Sequence, residues 1–344
     1  MKIDIVCTDG SPLGVTEKTM RGEGKRLGVG GAELALLTMC GAWQHYGNKV
    51  RLYNNPKESG VSSFEQCLIT DFNPDEDRDV LIIFRSPNWI VDHAKGLKVW
   101  WSCDSYTQGS FRDFAPHVDK IVTISTYHSK YFRDRYGIND TIPIDLPVRS
   151  WEYKDNVEKK MKQCIFTSIP DRGLMQLHAV WPEIQLQVPE ANLVITSDWR
   201  LWGDGITDDA VMPYRLSYAH HQNVEYRGAI RRHELVQLQM ESSLHLYPST
   251  FEEMFCIAVA ESQIAGVFPV TNDTGALPTT NMGRVIHGNP ADGQWQEVFV
   301  KNAVELLNDP DLNKKQQWVQ SVAKKRFSIE NILGQWDRHV FNRG

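Results

Sequence analysis

Cysteine is scarce in this chain, and no two cysteines are spaced as a metal-binding or redox pair. The 344 residues include six cysteines, and no Cys-x-x-Cys motif occurs. This spacing argues against a zinc ribbon and against a disulfide framework, because both need closely spaced cysteines. We therefore expect reduced, buried thiols in a cytoplasmic protein. The cysteines are Cys7, Cys40, Cys67, Cys103, Cys164 and Cys256.

Long apolar runs are also missing. No stretch approaches the ~20 consecutive apolar residues that a membrane-spanning helix needs, and residues 1–6 lack the long apolar core of a signal peptide. We expect a cytoplasmic chain without a transmembrane segment, and peripheral contact with a membrane stays open.

The chain has no excess of basic residues. It carries 37 Lys and Arg against 43 Asp and Glu, a formal net charge of -6. This balance disfavours a surface that coats duplex DNA, because such binding depends on neutralising the phosphates. A local basic groove remains compatible with it.

Two motif classes are absent as well. The glycine turn at residues 28–31 does not match Gly-x-Gly-x-x-Gly followed by an acidic residue after the second strand, so a nicotinamide dinucleotide site is disfavoured. Asp75, Asp77 and Asp79 form Asp-x-Asp pairs, but these lie in a charged loop rather than at a strand end with supporting carboxylates. A solvated charge run is the better interpretation of them, and we expect no metal site.

The chain contains short apolar runs that alternate with helical patterns. Hydrophobic residues make up 41% of it, and its length suits two domains of ordinary size. Strand, glycine turn, helix and strand follow one another at the start, which predicts α/β domains with parallel sheets. A Pro-rich and then charged segment separates two such series. We predict domains at residues 1–150 and 163–325, with a terminal helix at residues 326–344.

The most informative stretch is residues 247–261. A short apolar strand ends at a Pro-Ser turn, and from about Met254 the pattern becomes helical. Glu253 and Glu261 are eight residues apart, which on a helix is about two turns along and only about 80° round the axis. Two solvated helix carboxylates would explain the spacing alone. A helix N-terminus attracts phosphate, however, and carboxylates beside it suit the hydroxyl groups of a sugar and a ribose.

This Glu-x7-Glu arrangement, followed by a strand and the turn at residues 274–278, resembles the donor-binding signature of retaining family-4 glycosyltransferases. The resemblance implies the GT-B fold: two doubly wound Rossmann-like domains facing across a cleft, with the C-terminal helix crossing back to the first. It implies transfer of a hexose-like sugar from a nucleotide-sugar, such as a UDP- or GDP-hexose, to an acceptor hydroxyl with retention of configuration. It also implies that no metal or other cofactor is needed.

The resemblance implies three catalytic residues. Glu253 orients the donor sugar, and Arg172 stands where the family has the Lys of a Lys-Gly pair on the diphosphate. Residues 167–168 occupy the place of the family's second cation, so Arg172 carries more of the phosphate charge. Asp104 is the nearest ionisable residue to a position where the family often has a His.

Further residues are implied to bind the donor, from loops at strand ends and from the predicted helix. They are Gly30, Gly31, Ser168, Gly228, Ile230, Arg231, Met254, Phe255, Cys256 and Glu261.

The acceptor and several rival functions stay open. A glycan, a lipid-linked sugar, a small molecule and modified DNA are all compatible acceptors, the last as in phage GT-B enzymes. A GT-B epimerase or phosphorylase, or a protein that binds a nucleotide-sugar without turnover, is also compatible. The oligomeric state is not predicted.

Overall fold

The computed structural model describes residues 1–8, 13–24, 26–58, 60–155, 157–202 and 207–343. The chain divides into two compact units. The first unit consists of Met1–Gly24, Val29–Pro147 and Ile329–Gly344, and the second consists of Lys25–Gly28 and Val148–Ser328.

The first unit is built around a seven-stranded sheet whose paired strands are all parallel. The spatial order of its strands is β3-β2-β1-β4-β5-β6-β7, so the direction of winding reverses between β1 and β4. The central strand β4 is buried along its whole length, as expected for a parallel sheet covered on both faces. The strands are β1 (Lys2–Val6), β2 (Lys49–Tyr53), β3 (Glu65–Cys67), β4 (Val80–Phe84), β5 (Leu97–Trp101), β6 (Lys120–Thr123) and β7 (Ile142–Pro143).

Helices cover this sheet, and an aromatic cluster ties the C-terminal segment to it. Trp43 packs edge-on against Trp336, with ring centroids 5.1 Å apart, and Trp336 packs against Trp101 at 5.3 Å. All three rings are buried, which explains why the end of the chain belongs to the first unit. The helices are α1 (Glu17–Arg21), α2 (Gly31–His45), α3 (Phe111–Phe114), α4 (Thr126–Tyr136) and a C-terminal helix (Ile329–Gln335).

The second unit repeats this plan with a six-stranded parallel sheet of order β10-β9-β8-β11-β12-β13. Here the winding reverses between β8 and β11. The strands are β8 (Gln163–Phe166), β9 (Asn192–Ile195), β10 (Val224–Tyr226), β11 (Leu244–Tyr247), β12 (Phe268–Asn272) and β13 (Arg284–Ile286).

Seven α-helices are assigned among the described residues of the second unit. Its hydrophobic core joins the inner faces of the helices to the sheet, with Trp181 and Phe299 fully buried. The helices are α5 (Leu174–Gln187), α6 (Met212–Tyr218), α7 (Arg232–Glu241), α8 (Ile257–Ile264), α9 (Leu277–Thr280), α10 (Gly293–Leu307) and α11 (Leu312–Arg326).

The predicted class of two doubly wound parallel sheets is confirmed, and two helix boundaries are corrected. Helix α8 begins at Ile257 rather than near Met254, because Cys256 has φ 72° and a left-handed residue cannot continue a right-handed helix. The terminal helix, predicted at residues 326–344, covers only Ile329–Gln335, and a π-helical turn follows it at Trp336–Val340. The compact units part at residues 147/148 and 328/329.

Candidate active site

The reversal of strand order between β8 and β11 brings two loops together at the carboxyl end of the second sheet. In doubly wound folds, ligands bind at such a point. One loop, residues 167–173, leads from β8 to α5, and the other, residues 248–256, leads from β11 to α8. The predicted residues Ser168, Arg172 and Glu253 all lie in these loops.

The two loops are in close backbone contact. Gly173 has φ 106°, and a Cβ atom there would overlap the carbonyl oxygen of Pro248. Only glycine fits both the backbone angle and the space. Asn272, at the end of β12, donates from Nδ2 to the carbonyl oxygen of Ser249 at 2.6 Å. The loop at residues 248–256 is therefore fixed on two sides, by the loop that follows β8 and by the end of β12.

The turn after β12 supports the backbone of Glu253 directly. The N–H of Ala276 donates to the carbonyl oxygen of Glu253 at 2.7 Å. Gly275 has φ 63°, and a Cβ atom there would lie 2.5 Å from the backbone nitrogen of Glu253. Glycine at position 275 thus allows the approach that fixes this residue.

The Glu253 carboxylate lies between a hydroxyl and a cation. Tyr247 donates from its hydroxyl to Glu253 Oε1 at 2.7 Å, and Arg172 Nε lies 3.6 Å from the same oxygen. The hydroxyl of Ser168 lies 3.3 Å from that of Tyr247. Burial raises the pKa of Glu253, and Arg172 and Tyr247 offset this only in part. Hydrogen-bond donors of a ligand would stabilise the ionised form.

Arg172 is packed rather than exposed. It ends the 3-10 turn Pro170–Arg172, before Gly173, and α5 begins only at Leu174. Its guanidinium carbon lies 3.1 Å from the centroid of the Phe251 ring, and Nη1 donates to Asp171 at 3.0 Å. The side chain is only 13% exposed. The guanidinium is therefore held in one orientation beside Glu253.

Glu253 and Glu261 do not lie on one helix, contrary to the spacing argument. Glu253 belongs to the loop, whereas Glu261 lies in the middle of α8 and is 4% exposed. Arg232 Nη1 lies 2.7 Å from Glu261 Oε1. This oxygen is buried, so the guanidinium and the carboxylate form a close ion pair shielded from water. Burial raises the pKa of Glu261, and the charge of Arg232 partly offsets this effect.

Met254, Phe255 and Cys256 turn their side chains into the protein. Any contact of these three residues with a ligand would therefore be made by the backbone. They precede α8, whose first N–H groups have no acceptor within the helix. Thr280 fixes this segment by donating from its hydroxyl to the carbonyl oxygen of Phe255.

The loop after β10 is organised by a buried aspartate that the sequence did not single out. Asp198 Oδ2 accepts the N–H of Ala229 at 3.0 Å and the Arg200 Nη2 donor at 2.6 Å. Burial raises the pKa of Asp198, but these hydrogen bonds outweigh it, and the pKa lies below its usual value. Gly228, with φ 69°, packs against this carboxylate. Next to it, Ile230 is half-buried and Arg231 is exposed.

In the first unit, Gly30 and Gly31 open α2 as expected, but a carboxylate accompanies them. Gly30 is the N-cap, and Glu33 stands in the first turn with 2% exposure. A Cβ atom at Gly30 would lie 2.5 Å from Glu33 Oε2. The positive end of this helix therefore already has an anion of the protein beside it.

Arg85 joins Glu33 to Asp104 at the carboxyl end of the first sheet. Its Nε donates to Asp104 Oδ2, and its Nη1 lies 4.0 Å from Glu33 Oε1. Arg85 has φ 73°, which is unusual for a residue other than glycine. Trp100 helps to hold this backbone by donating from its indole N–H to the Arg85 carbonyl at 2.9 Å. The sequence gives no sign of this pairing.

A histidine does lie near Asp104, although it comes from another element. His128 Nε2 lies 3.1 Å from the Asp104 carbonyl oxygen, and the N–H of Ile124 donates to His128 Nδ1 at 3.3 Å. Because Nδ1 accepts, Nε2 carries the proton and donates to Asp104. Burial lowers the pKa of His128 to about 3. This histidine is therefore neutral and positions the Asp104 loop.

Comparisons with solved structures identify the fold. HepE from Anabaena, solved with UDP and glucose, is 15% identical over 99% of this chain and 100% of that chain, with a TM-score of 0.73. Sucrose-phosphate synthase from Thermosynechococcus elongatus is 14% identical over 99% of both chains, with a TM-score of 0.72. A glycosyltransferase from Rickettsia africae is 13% identical over 97% of this chain and 96% of that chain, with a TM-score of 0.71.

This chain has the GT-B fold. No protein-family model matches it, and no curated protein matches it. At these identities the similarity establishes the fold alone.

Three groups of predicted residues can be distinguished by position. Ser168, Arg172 and Glu253 meet around Tyr247 in the second unit, whereas Glu261 forms a separate buried pair with Arg232. Gly30, Gly31 and Asp104 belong to the first unit.

Within the described residues, no three His, Cys, Asp or Glu side chains are grouped so that they could hold a metal ion. In the same part of the chain, no helix has the length and apolarity needed to cross a membrane.

Proposed function

We propose that this chain transfers a hexose-like sugar from a nucleotide-sugar to an acceptor hydroxyl, with retention of configuration. The observation that carries the proposal is the Glu253 carboxylate held between Tyr247 and Arg172 at the strand-order reversal. A buried carboxylate beside a fixed guanidinium suits a ligand that combines hydroxyl groups with a diphosphate. In support, the similar structures are glycosyltransferases, and HepE was solved with UDP-glucose.

In this proposal the anomeric C–O bond to the diphosphate breaks, and a bond forms between the anomeric carbon and the acceptor oxygen. The acceptor attacks from the face that the diphosphate leaves, and its proton passes to a diphosphate oxygen. No protein base is then required. Arg172 stabilises the leaving diphosphate, because its guanidinium can bind two phosphate oxygens at once.

Glu253 is proposed to orient the sugar through its hydroxyl groups. Its negative charge also favours the positive charge that develops at the anomeric carbon when the bond breaks. Glu261 is proposed to bind the ribose, and the backbone at residues 228–231 the base. Ser168 and the backbone of residues 254–256 complete the proposed donor site.

In the first unit, Asp104 stays the proposed catalytic residue, and Gly30 and Gly31 stay proposed donor contacts. The carboxylate of Glu33 at the same helix end repels a diphosphate. We therefore assign Gly30 and Gly31 to uncharged hydroxyl groups of the donor rather than to its phosphates.

Release of nucleoside diphosphate tests the proposal. The chain is incubated with UDP- and GDP-hexoses and a panel of glycan, lipid-linked and small-molecule acceptors, and the anomeric configuration of the first product is read by proton NMR. We expect one donor to be consumed only with acceptor, with configuration retained, and Glu253→Gln to be inactive. An inverted product, turnover without acceptor to an epimer, or dependence on orthophosphate would contradict the proposal.

A further inference from the structure

Four charged side chains form a neutral, largely buried cluster next to the proposed donor site. Arg232 donates from Nε to Glu152 Oε2 at 2.7 Å, while its Nη1 lies 2.7 Å from Glu261 Oε1. Arg149 donates from Nε to the other oxygen of Glu152 at 2.6 Å. Two cations therefore face two carboxylates, which is the arrangement that makes buried charge tolerable.

Arg232 contacts both carboxylates of this cluster, Glu152 and Glu261. It is the first residue of α7, is 8% exposed, and lies against Tyr153, to whose hydroxyl its Nη2 donates at 3.3 Å. Glu152 has a second cation in Arg149, whereas Arg232 is the only cation within ion-pair distance of Glu261 among the described residues. Removing Arg232 would leave Glu261 as a buried charge without a counter-ion, while Glu152 would keep one.

The contact between Arg232 and Glu261 takes up one oxygen of the carboxylate. Oε1 of Glu261 is buried and lies 2.7 Å from a guanidinium nitrogen of Arg232. This ion pair fixes the orientation of the carboxylate. A ligand hydroxyl would donate to the other oxygen, because an ionised carboxylate accepts hydrogen bonds through both oxygens.

We propose that Arg232 is a positioning residue that holds the Glu261 carboxylate ready to accept hydrogen bonds from the ribose hydroxyls of the donor nucleotide. The proposal rests on the proposed function, and it adds a residue whose effect is confined to one part of the donor. Arg232 does not itself touch the nucleotide. Its removal should therefore abolish the advantage of a ribose over a sugar that lacks these hydroxyls, while the diphosphate is still bound.

The experiment uses UDP and GDP, each compared with its 2′,3′-dideoxy counterpart, in calorimetric titrations of the full chain. We expect wild type to bind one ribonucleotide about 10- to 100-fold more tightly than the dideoxy form, the scale of hydrogen bonds to a charged group. In Arg232→Met, the dissociation constants of the ribonucleotide and its dideoxy form should differ by no more than about 3-fold. Arg227→Met is the matched control, since Arg227 pairs with Glu225 at the surface of the same unit at 2.8 Å.

The outcomes separate the inference from the proposed function. A wild-type chain that binds no nucleotide overturns the proposed function and this inference with it. A wild-type ribose preference that Arg232→Met retains, even if both nucleotides bind more weakly, overturns the inference alone. If Arg232→Met does not fold, Arg232→Gln replaces it, because glutamine can still donate to Glu152. The same loss of preference is expected there, and a retained preference contradicts the proposal.

Discussion

Tyr247 donates its hydroxyl proton to Glu253 at 2.7 Å, and this bond joins the end of β11 to the loop that follows it. The tyrosine ring is buried and stacked on Phe166, with ring centroids 5.7 Å apart. Packing in the core therefore fixes the position of the hydroxyl beside the carboxylate. Because Arg172 faces the same oxygen, one end of the carboxylate is fixed by the protein, and a ligand can bind the other.

Loss of the Tyr247 hydroxyl should reduce turnover more than stability. Tyr247→Phe keeps the ring and its packing but removes one hydrogen bond to a charged group, worth about 1.5–3 kcal/mol. We expect kcat to fall by about 10- to 100-fold, with the melting temperature changed by only a few degrees. Steady-state kinetics and thermal unfolding check this. A wild-type kcat in Tyr247→Phe would show that the orientation of Glu253 does not depend on this bond.

Substitutions of Arg172 should damage catalysis even when the charge is kept. Arg172→Ala should lower kcat/KM by about 10²–10³, the scale for one preorganised donor at a developing charge. Lysine cannot bind two phosphate oxygens in the same way, so Arg172→Lys should also be impaired. The contact with Phe251 should make the alanine variant less stable by about 1 kcal/mol. Near-normal kcat/KM in both folded variants would place the diphosphate elsewhere.

An alanine at position 275 should disturb the donor loop. Its φ of 63° disfavours a side chain, and the added Cβ would collide with the backbone of Glu253. We expect Gly275→Ala to weaken donor binding at least about 10-fold, a shift of roughly 1.4 kcal/mol. Gly293→Ala is the matched control, since a Cβ there meets nothing within 4 Å. Equal donor affinity in the two variants would contradict the support that Gly275 gives to Glu253.

Lys159 should make stability depend on pH above neutrality. Burial lowers the pKa of this lysine to about 7, and its Nζ donates to the Ala265 carbonyl at 2.9 Å, just after α8. Between this value and the unfolded pKa near 10.4, the unfolded chain binds the extra proton, so stability rises with pH by at most about 1.4 kcal/mol per unit.

The test is denaturant unfolding of wild type and Lys159→Met at pH 7, 8 and 9. The free energy of unfolding of wild type, minus that of Lys159→Met, should increase as the pH rises. If the difference between the two proteins is the same at all three pH values, Lys159 is not titrating in this range.

The sequence predicted the elements more reliably than the contacts among their side chains. Apolar runs such as β4 and β11 are typical of strands buried in a parallel sheet, so the fold class could be inferred from them and from the motif context. The bend before α8 could not, because Cys256 adopts a left-handed backbone that is uncommon for cysteine. As a result, Glu253 was assigned to a helix although it belongs to the loop.

The sequence alone does not reveal which residues far apart in the chain form ion pairs. Arg232 lies 80 positions from Glu152 in the chain, and a basic residue at a helix start gives no sign of its partners. Arg85 and Asp104 each follow a strand, and they form an ion pair in which Arg85 has an unusual, left-handed backbone. Such pairs are set by the packed fold, since either residue alone would be acceptable at a surface.

The most direct test of the central claim is a crystal structure of the chain with the nucleotide-sugar that it consumes, prepared in excess EDTA. The account predicts diphosphate oxygens within hydrogen-bonding distance of Arg172, a sugar hydroxyl on Glu253 and ribose hydroxyls on Glu261. A nucleotide-sugar bound away from the loops at residues 167–173 and 248–256, or one that binds only when a divalent metal is added, would contradict it.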